Sequence, residues 1–211
     1  GKLPLNAAWS AAIVLVLIAL PAAYFLAPAL AAILALYFTI NILYSRWLKH
    51  VPVLDVMIIS AGFVLRVAAG VSLITVERFS PWLYVITTLF SLYIGLGKRR
   101  AEMTLLSQGA GSHRKVLDGY TIPLLDQYIT IVSGTTIVTY ALYTFTAPNL
   151  PANHSMMLTI PFVVYGIFRY LQLIQTGHAA GAPDEVALKD RPLQVTVLLW
   201  GLAVIAVFYL S

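Results

Sequence analysis

The sequence predicts an all-α fold: a polytopic membrane bundle of about seven transmembrane helices. Three observations carry this. Hydrophobic residues make up 60% of the 211 and charged residues only 10%, against about 45–50% and about 25% in soluble domains. The mean hydropathy is +0.88. Seven stretches are long and apolar enough to cross the hydrocarbon core, which takes roughly 20 residues of helix. Runs such as AAIVLVLIAL and VTVLLWGLAVIAVFYL do not alternate as the strands of a membrane barrel must. The same composition excludes disorder and coiled coil, and the lack of cysteine excludes a disulfide framework.

The spans fall at about residues 8–26, 29–47, 53–75, 80–97, 128–147, 156–175 and 193–211. Prolines sit mostly at helix starts (Pro28, Pro52, Pro81, Pro161, Pro192), where a missing N–H costs least. The connections alternate in charge. Pro21–Pro28, 75–80 and 147–155 carry little; 44–52, 97–127 and 175–192 carry nearly all of it. Of 13 Lys and Arg, 11 belong to the second side: Lys2, Arg46, Lys49, Lys98, Arg99, Arg100, Arg114, Lys115, Arg169, Lys189 and Arg191. Arg78 lies on the other side and Arg66 inside a span. By the positive-inside rule the charged side faces the cytoplasm, with the N-terminus inside and the C-terminus outside. Residues 1–211 read as one membrane domain with no soluble domain, linker or repeat. The first apolar stretch is too long for a signal peptide, and no cleavage pattern follows it.

Several charged residues exceed what topology requires. Tyr44 and Lys49 are either an interfacial belt or a pair facing an anionic ligand. Asp55 either complements a helix N-terminus, worth about 0.3–1 kcal/mol, or holds a cation. Arg66 lies almost three turns further, about 16 Å deeper on the same helical face. An arginine inside a span is either half of an internal ion pair or a functional residue. Lys98-Arg99-Arg100 suit a helix C-terminus, and Glu102 is spaced to pair with Lys98 or Arg99. Together they form a cationic shelf of the kind a phosphate requires. Asp118 and Asp126 share a face if the segment is helical, but Pro123 interrupts it. Asp55 and Asp126, at similar depth, are the acids available to Mg²⁺. His113 reads as a loop residue. Asp184 and Glu185 start a short helix, and Asp190-Arg191 either cap the last span or belong to a site. Phosphate-binding glycine loops, zinc spacings and cysteine nucleophiles are not found in the sequence.

Four strings, YSRWLKHVPVLDVMIISAGFVLRVAAG, GLGKRRAEM, GYTIPLLDQ and GAPDEVALKDRPLQ, resemble the UbiA superfamily of intramembrane prenyltransferases. Within it they look most like the decaprenyl-phosphate phosphoribosyltransferase branch. The resemblance implies a nine-helix fold of which these spans are helices three to nine. It implies that Gly1-Lys2-Leu3-Pro4 follow directly on the family's first acidic motif, NDxxDxxxD, so that the chain is not a competent enzyme by itself. The second acidic motif, DxxxD, is replaced by Lys98-Arg99-Arg100-Ala101-Glu102, which favours a phosphate-rich substrate.

The implied reaction moves 5-phosphoribosyl from phosphoribosyl pyrophosphate to a polyprenyl phosphate such as decaprenyl phosphate, with Mg²⁺ as cofactor, for cell-envelope arabinose donors. Carried onto this sequence, Asp55, Asp126 and Glu102 form the catalytic set, and Asp55 and Asp126 the metal ligands. Tyr44 and Lys49 contact substrate phosphate, and Arg66 the polyprenyl phosphate. Lys98, Arg99 and Arg100 hold donor phosphates. Lys189, Asp190 and Arg191 close the site. The expected setting is a bacterial plasma membrane, with the site on the cytoplasmic face, no nucleic-acid partner and room for an oligomer. The rival readings are a UbiA-type transfer of a prenyl group to an aromatic ring, and a non-enzymatic lipid-binding or transport subunit.

Overall fold

The computed structural model describes residues 4–74, 80–109, 114–148, 150–176 and 189–210. The expectations that fall on Gly1–Leu3, Arg78, His113, Asp184 and Glu185 lie outside the described residues. Among the described residues seven α-helices run in chain order: α1 (Leu5–Leu26), α2 (Pro28–Arg46), α3 (Leu54–Val71), α4 (Pro81–Ser107), α5 (Ile122–Thr146), α6 (Ile160–Gln175) and α7 (Arg191–Leu210). Short 3₁₀ turns fill the connections at Leu48–His50, Lys115–Gly119 and Ser155–Thr159. No strand occurs among the described residues. The fold is therefore the polytopic helical membrane bundle that the composition predicts.

Six of the helices are long and apolar enough to cross a membrane. The remaining one, α4, is the longest at 27 residues, but Tyr84, Thr87, Thr88, Ser91 and Tyr93 interrupt its apolar stretch. It also continues past the expected span end at Gly97 for about ten residues, or about 15 Å of helix. Two boundaries differ from expectation for reasons involving proline. Pro21 lies inside α1, so the first connection shrinks to Ala27. Pro123 opens α5 rather than interrupting it. Thr121 is the N-cap, accepting the Leu124 N–H at 3.3 Å, and proline at the first turn is preset for the helix. Asp126 consequently stands one turn inside α5.

Consecutive helices pack side by side, and α4 also touches α6. The buried core is concentrated between α4, α5 and α6 and beneath the turn at Lys115–Gly119. It includes Tyr93, Leu96, Val116, Leu117, Leu125, Ile129, Tyr170 and Ile174. Close approach of α4 to α6 depends on Gly97, where a Cβ would stand 2.8 Å from Ile174 and 2.9 Å from the Tyr170 hydroxyl. Tyr93 donates to the Ile167 carbonyl at 2.6 Å and meets Tyr170 edge-on. Elsewhere small polar contacts join the helices, as expected where lipid removes the hydrophobic drive. Ser60 meets Ser91 at 2.7 Å, Tyr140 meets Thr159 at 2.7 Å, and Trp200 donates to Tyr140 at 2.8 Å.

Candidate functional site

The charged connections converge on one end of the bundle, at the C-terminus of α4. Consecutive residues of a helix point about 100° apart, so Lys98, Arg99 and Arg100 fan out in three directions. Lys98 is exposed and meets no carboxylate among the described residues. Arg99 turns toward α3 and is 2% exposed. Its Nε donates to Asp55 Oδ2 at 2.6 Å, and its Nη1 to Glu102. Arg100 turns toward α5 and α6. Its Nε donates to Asp126 Oδ1, and its Nη1 to the Ile174 carbonyl at 2.8 Å, satisfying one of the orphan carbonyls at the end of α6.

Asp55 is completely buried. Its second oxygen accepts from the Tyr120 hydroxyl at 2.7 Å, and that hydroxyl accepts the Val53 N–H at 2.6 Å. Burial, then the hydrogen bond to Asp55, pushes the Tyr120 phenol above its ordinary range. It is therefore a permanent donor to the carboxylate. Arg114, on the connection before Tyr120, reaches the other Glu102 oxygen at 3.5 Å and is partly exposed. At the start of α7, Asp190 accepts from Arg169 Nη2 at 2.7 Å and from the Leu193 N–H at 2.9 Å. It is thus an N-cap tied to α6. The hydrogen bond from Arg169 holds its carboxyl below the ordinary carboxylate value; partial burial opposes this and the Leu193 N–H adds to it.

The structure brings Asp55, Lys98, Arg99, Arg100, Glu102 and Asp126 to one end. Tyr44 and Lys49, both half-buried, lie at this end too, on the last turns of α2 and the 3₁₀ turn that leads to α3. Lys189 and Arg191 are exposed beside Asp190. Arg66 is placed elsewhere. It is exposed on the side facing α2, donating to the Tyr37 hydroxyl at 2.6 Å with its guanidinium over Phe63 and Tyr37. It stands about 16 Å along α3 from Asp55, so it does not reach the cluster from within the bundle. Sequence reading missed the roles of Tyr120, Arg114 and the Val53 N–H. Nothing in local spacing signals them, because each partner lies on another element.

The described carboxylates do not fit a Mg²⁺ site. Asp55 spends both oxygens on Arg99 and Tyr120, and Asp126 is engaged by Arg100, so the two acids are held by different arginines rather than facing one ion. No group of three or more acids or histidines gathers among the described residues. Arg99 and Arg100 are already engaged within the protein, Arg99 by Asp55 and Glu102 and Arg100 by Asp126 and the Ile174 carbonyl. Among the described residues, the cations of this end that reach the surface include Lys98, Arg46, Lys115, the half-buried Lys49 and Arg114, which also reaches Glu102. Clustered cations at a water interface raise the local potential that attracts anions.

Fold and site thus define a polytopic helical membrane protein with a cationic, arginine-braced end. No family model matches the chain. It is 34% identical over its whole length to a decaprenyl-phosphate phosphoribosyltransferase of Mycolicibacterium smegmatis, covering 68% of that protein. It is 31% identical over its whole length to the one of Corynebacterium glutamicum, covering 64%. It is also 31% identical over 95% of its length to the one of Mycobacterium tuberculosis, covering 65%. The chain therefore belongs to the decaprenyl-phosphate phosphoribosyltransferase family of the UbiA superfamily. It spans about two thirds of the length of the curated relatives it matches (64–68%).

Proposed function

We propose that the protein transfers a 5-phosphoribosyl group from phosphoribosyl pyrophosphate to a polyprenyl phosphate, releasing pyrophosphate. The observation that carries this is the pairing of an apolar helical bundle with a cationic end where Lys98 and Lys115 are exposed, in a chain whose relatives bear that activity in their names. In the reaction the bond from the anomeric carbon to pyrophosphate breaks and one to the lipid phosphate oxygen forms. The acceptor oxygen supplies the electron pair and the pyrophosphate leaves with its own, so no strong base is required. Lys98, Lys49 and Arg114 bind and orient phosphate oxygens, and Tyr44 hydrogen-bonds to them. Their charge stabilises the leaving group as it departs. Asp55, Glu102 and Asp126 act by holding arginines in place rather than by touching substrate.

Mg²⁺ belongs to this reading as the counterion of the donor's pyrophosphate, with ligands other than Asp55 and Asp126. The setting is a bacterial plasma membrane with the cationic end at the cytoplasmic face, and the product feeds cell-envelope arabinose donors. The relatives' names do not favour prenyl transfer to an aromatic ring, or a non-enzymatic lipid-binding subunit. The test supplies labelled phosphoribosyl pyrophosphate and polyprenyl phosphate to membranes containing the full-length native protein. A lipid-extractable pentose phosphate is expected. Label that stays entirely water-soluble overturns the proposal.

A further inference from the structure

Val53, just before α3, has φ 69° and ψ −49°, a conformation that a β-branched residue adopts only when its surroundings enforce it. Two contacts enforce it here. The Val53 N–H donates to the Tyr120 hydroxyl at 2.6 Å. Beside it, Pro52 lies so close to Gly119 that a Cβ there would overlap the proline ring. Both contacts tie the start of α3 to the connection that carries Arg114. From Tyr120 the contacts continue through Asp55, Arg99 and Glu102 to Arg114. A continuous, largely buried chain therefore runs from a strained backbone turn to a cation at the surface.

Glycine at position 53 would adopt this turn without strain. Valine keeps it under tension, which is of use only if slack at this point costs something. We infer that Val53 and Tyr120 are positioning residues. They form a tensioned clasp that fixes residues 114–120 over the end of α4, setting the geometry in which Lys98 and Arg114 meet a phosphate-bearing ligand. The inference rests on the cationic end being the substrate site proposed above. Neither residue touches the ligand; each acts through the cations it holds in place.

The test uses the full-length native protein in membranes and three variants. Val53→Gly relieves the strain and, by letting the backbone take many other conformations as readily as this one, slackens the clasp. Its thermal midpoint should be unchanged or higher, while KM for the pentose donor rises about tenfold. A tie serving stability alone would not separate the two readouts. Val53→Ala removes the side chain but keeps the strained turn, and its KM should stay within about twofold of wild type. Tyr120→Phe should raise KM like the glycine variant and also lower the midpoint, because it leaves the Asp55 carboxylate and the Val53 N–H short of a partner. Wild-type KM in Val53→Gly overturns the clasp, and so does an equal KM rise in Val53→Ala. Binding of labelled inorganic pyrophosphate, run in parallel, separates the two proposals. If the wild type makes no lipid-linked pentose, the transferase reading falls. The clasp then stands if Val53→Gly weakens pyrophosphate binding about tenfold and falls if it does not.

Discussion

Replacing Arg99 by methionine should cost more stability than any other single change at the cationic end. Arg99 is 2% exposed and Asp55 is fully buried, with Nε and Oδ2 2.6 Å apart. At an effective dielectric of about 20, charges about 4 Å apart attract by about 4 kcal/mol. Methionine fills much of the arginine's volume but leaves the Asp55 carboxylate inside the protein with the neutral Tyr120 hydroxyl as its hydrogen-bond donor and no countercharge beside it. Breaking a buried pair from one side costs about 3–5 kcal/mol. For a chain of this size each kcal/mol lowers the midpoint by about 2–4 °C, so a fall of at least about 6 °C is expected. The assay is thermal unfolding in detergent followed by tryptophan fluorescence, at one scan rate because an irreversible transition depends on it. Removing both charges, with Asp55→Leu added to Arg99→Met, should recover at least half of the loss, since an apolar pair avoids the stranded charge. A single variant within about 1 °C of wild type would refute the reasoning. So would a double variant no more stable than the single one.

Three further outcomes follow from the same division between paired and open charges. Lys98→Ala removes an exposed cation, so its stability should stay within about 0.5 kcal/mol of wild type while KM for the pentose donor rises several-fold; an unchanged KM would remove Lys98 from the site. Asp190, held by Arg169 below its ordinary carboxylate value of 3.8, contributes stability that is full above that value and lost as pH falls through its lower folded value. The midpoint gap between wild type and Asp190→Asn should accordingly be constant from pH 7 to about 5 and close under stronger acid; a gap that persists undiminished at the acid end contradicts the pairing. Chelation with EDTA should stop transfer and added Mg²⁺ restore it, whereas full activity in EDTA would remove the metal from the proposal.

Composition and proline placement made the helices legible, because apolar runs of this length have few other uses and a proline opens a helix more readily than it continues one. The side on which charge gathers was equally legible. Partnership was not. Lys98, Arg99 and Arg100 look interchangeable as a string, yet one is open and two are closed. Which is which depends on how α4 is rotated against α3, α5 and α6, and local periodicity does not report that rotation. Arg66 shares nearly the same helical face as Asp55, about 16 Å away, and its contact with Tyr37 on α2 is likewise one that spacing along α3 does not name. Tyr120 carried no signal at all, because its importance comes from a backbone N–H and a carboxylate more than sixty positions upstream.

The distribution of residue types over these roles has a physical reason. A guanidinium presents five donors in a planar fork and can meet two acceptors at once, which an ammonium on a flexible stem does less well. Each closed arginine uses that fork to bridge: Arg99 between Asp55 and Glu102, Arg100 between Asp126 and the Ile174 carbonyl, Arg169 between Asp190 and Gln172. These bridges join α4 to α3, α5 and α6, and α6 to α7, all at the charged end. Away from that end Arg66 donates to the Tyr37 hydroxyl, and other interhelical ties are neutral hydrogen bonds such as Ser60–Ser91 and Tyr140–Thr159, which are individually weaker than ion pairs. Among the described residues the ion pairs between helices thus gather at the end that carries Lys98. Dipoles and charges fixed before a ligand arrives need not reorganise as charge develops on it, and that is the part the proposed transfer gives the arginines: holding still rather than making contact.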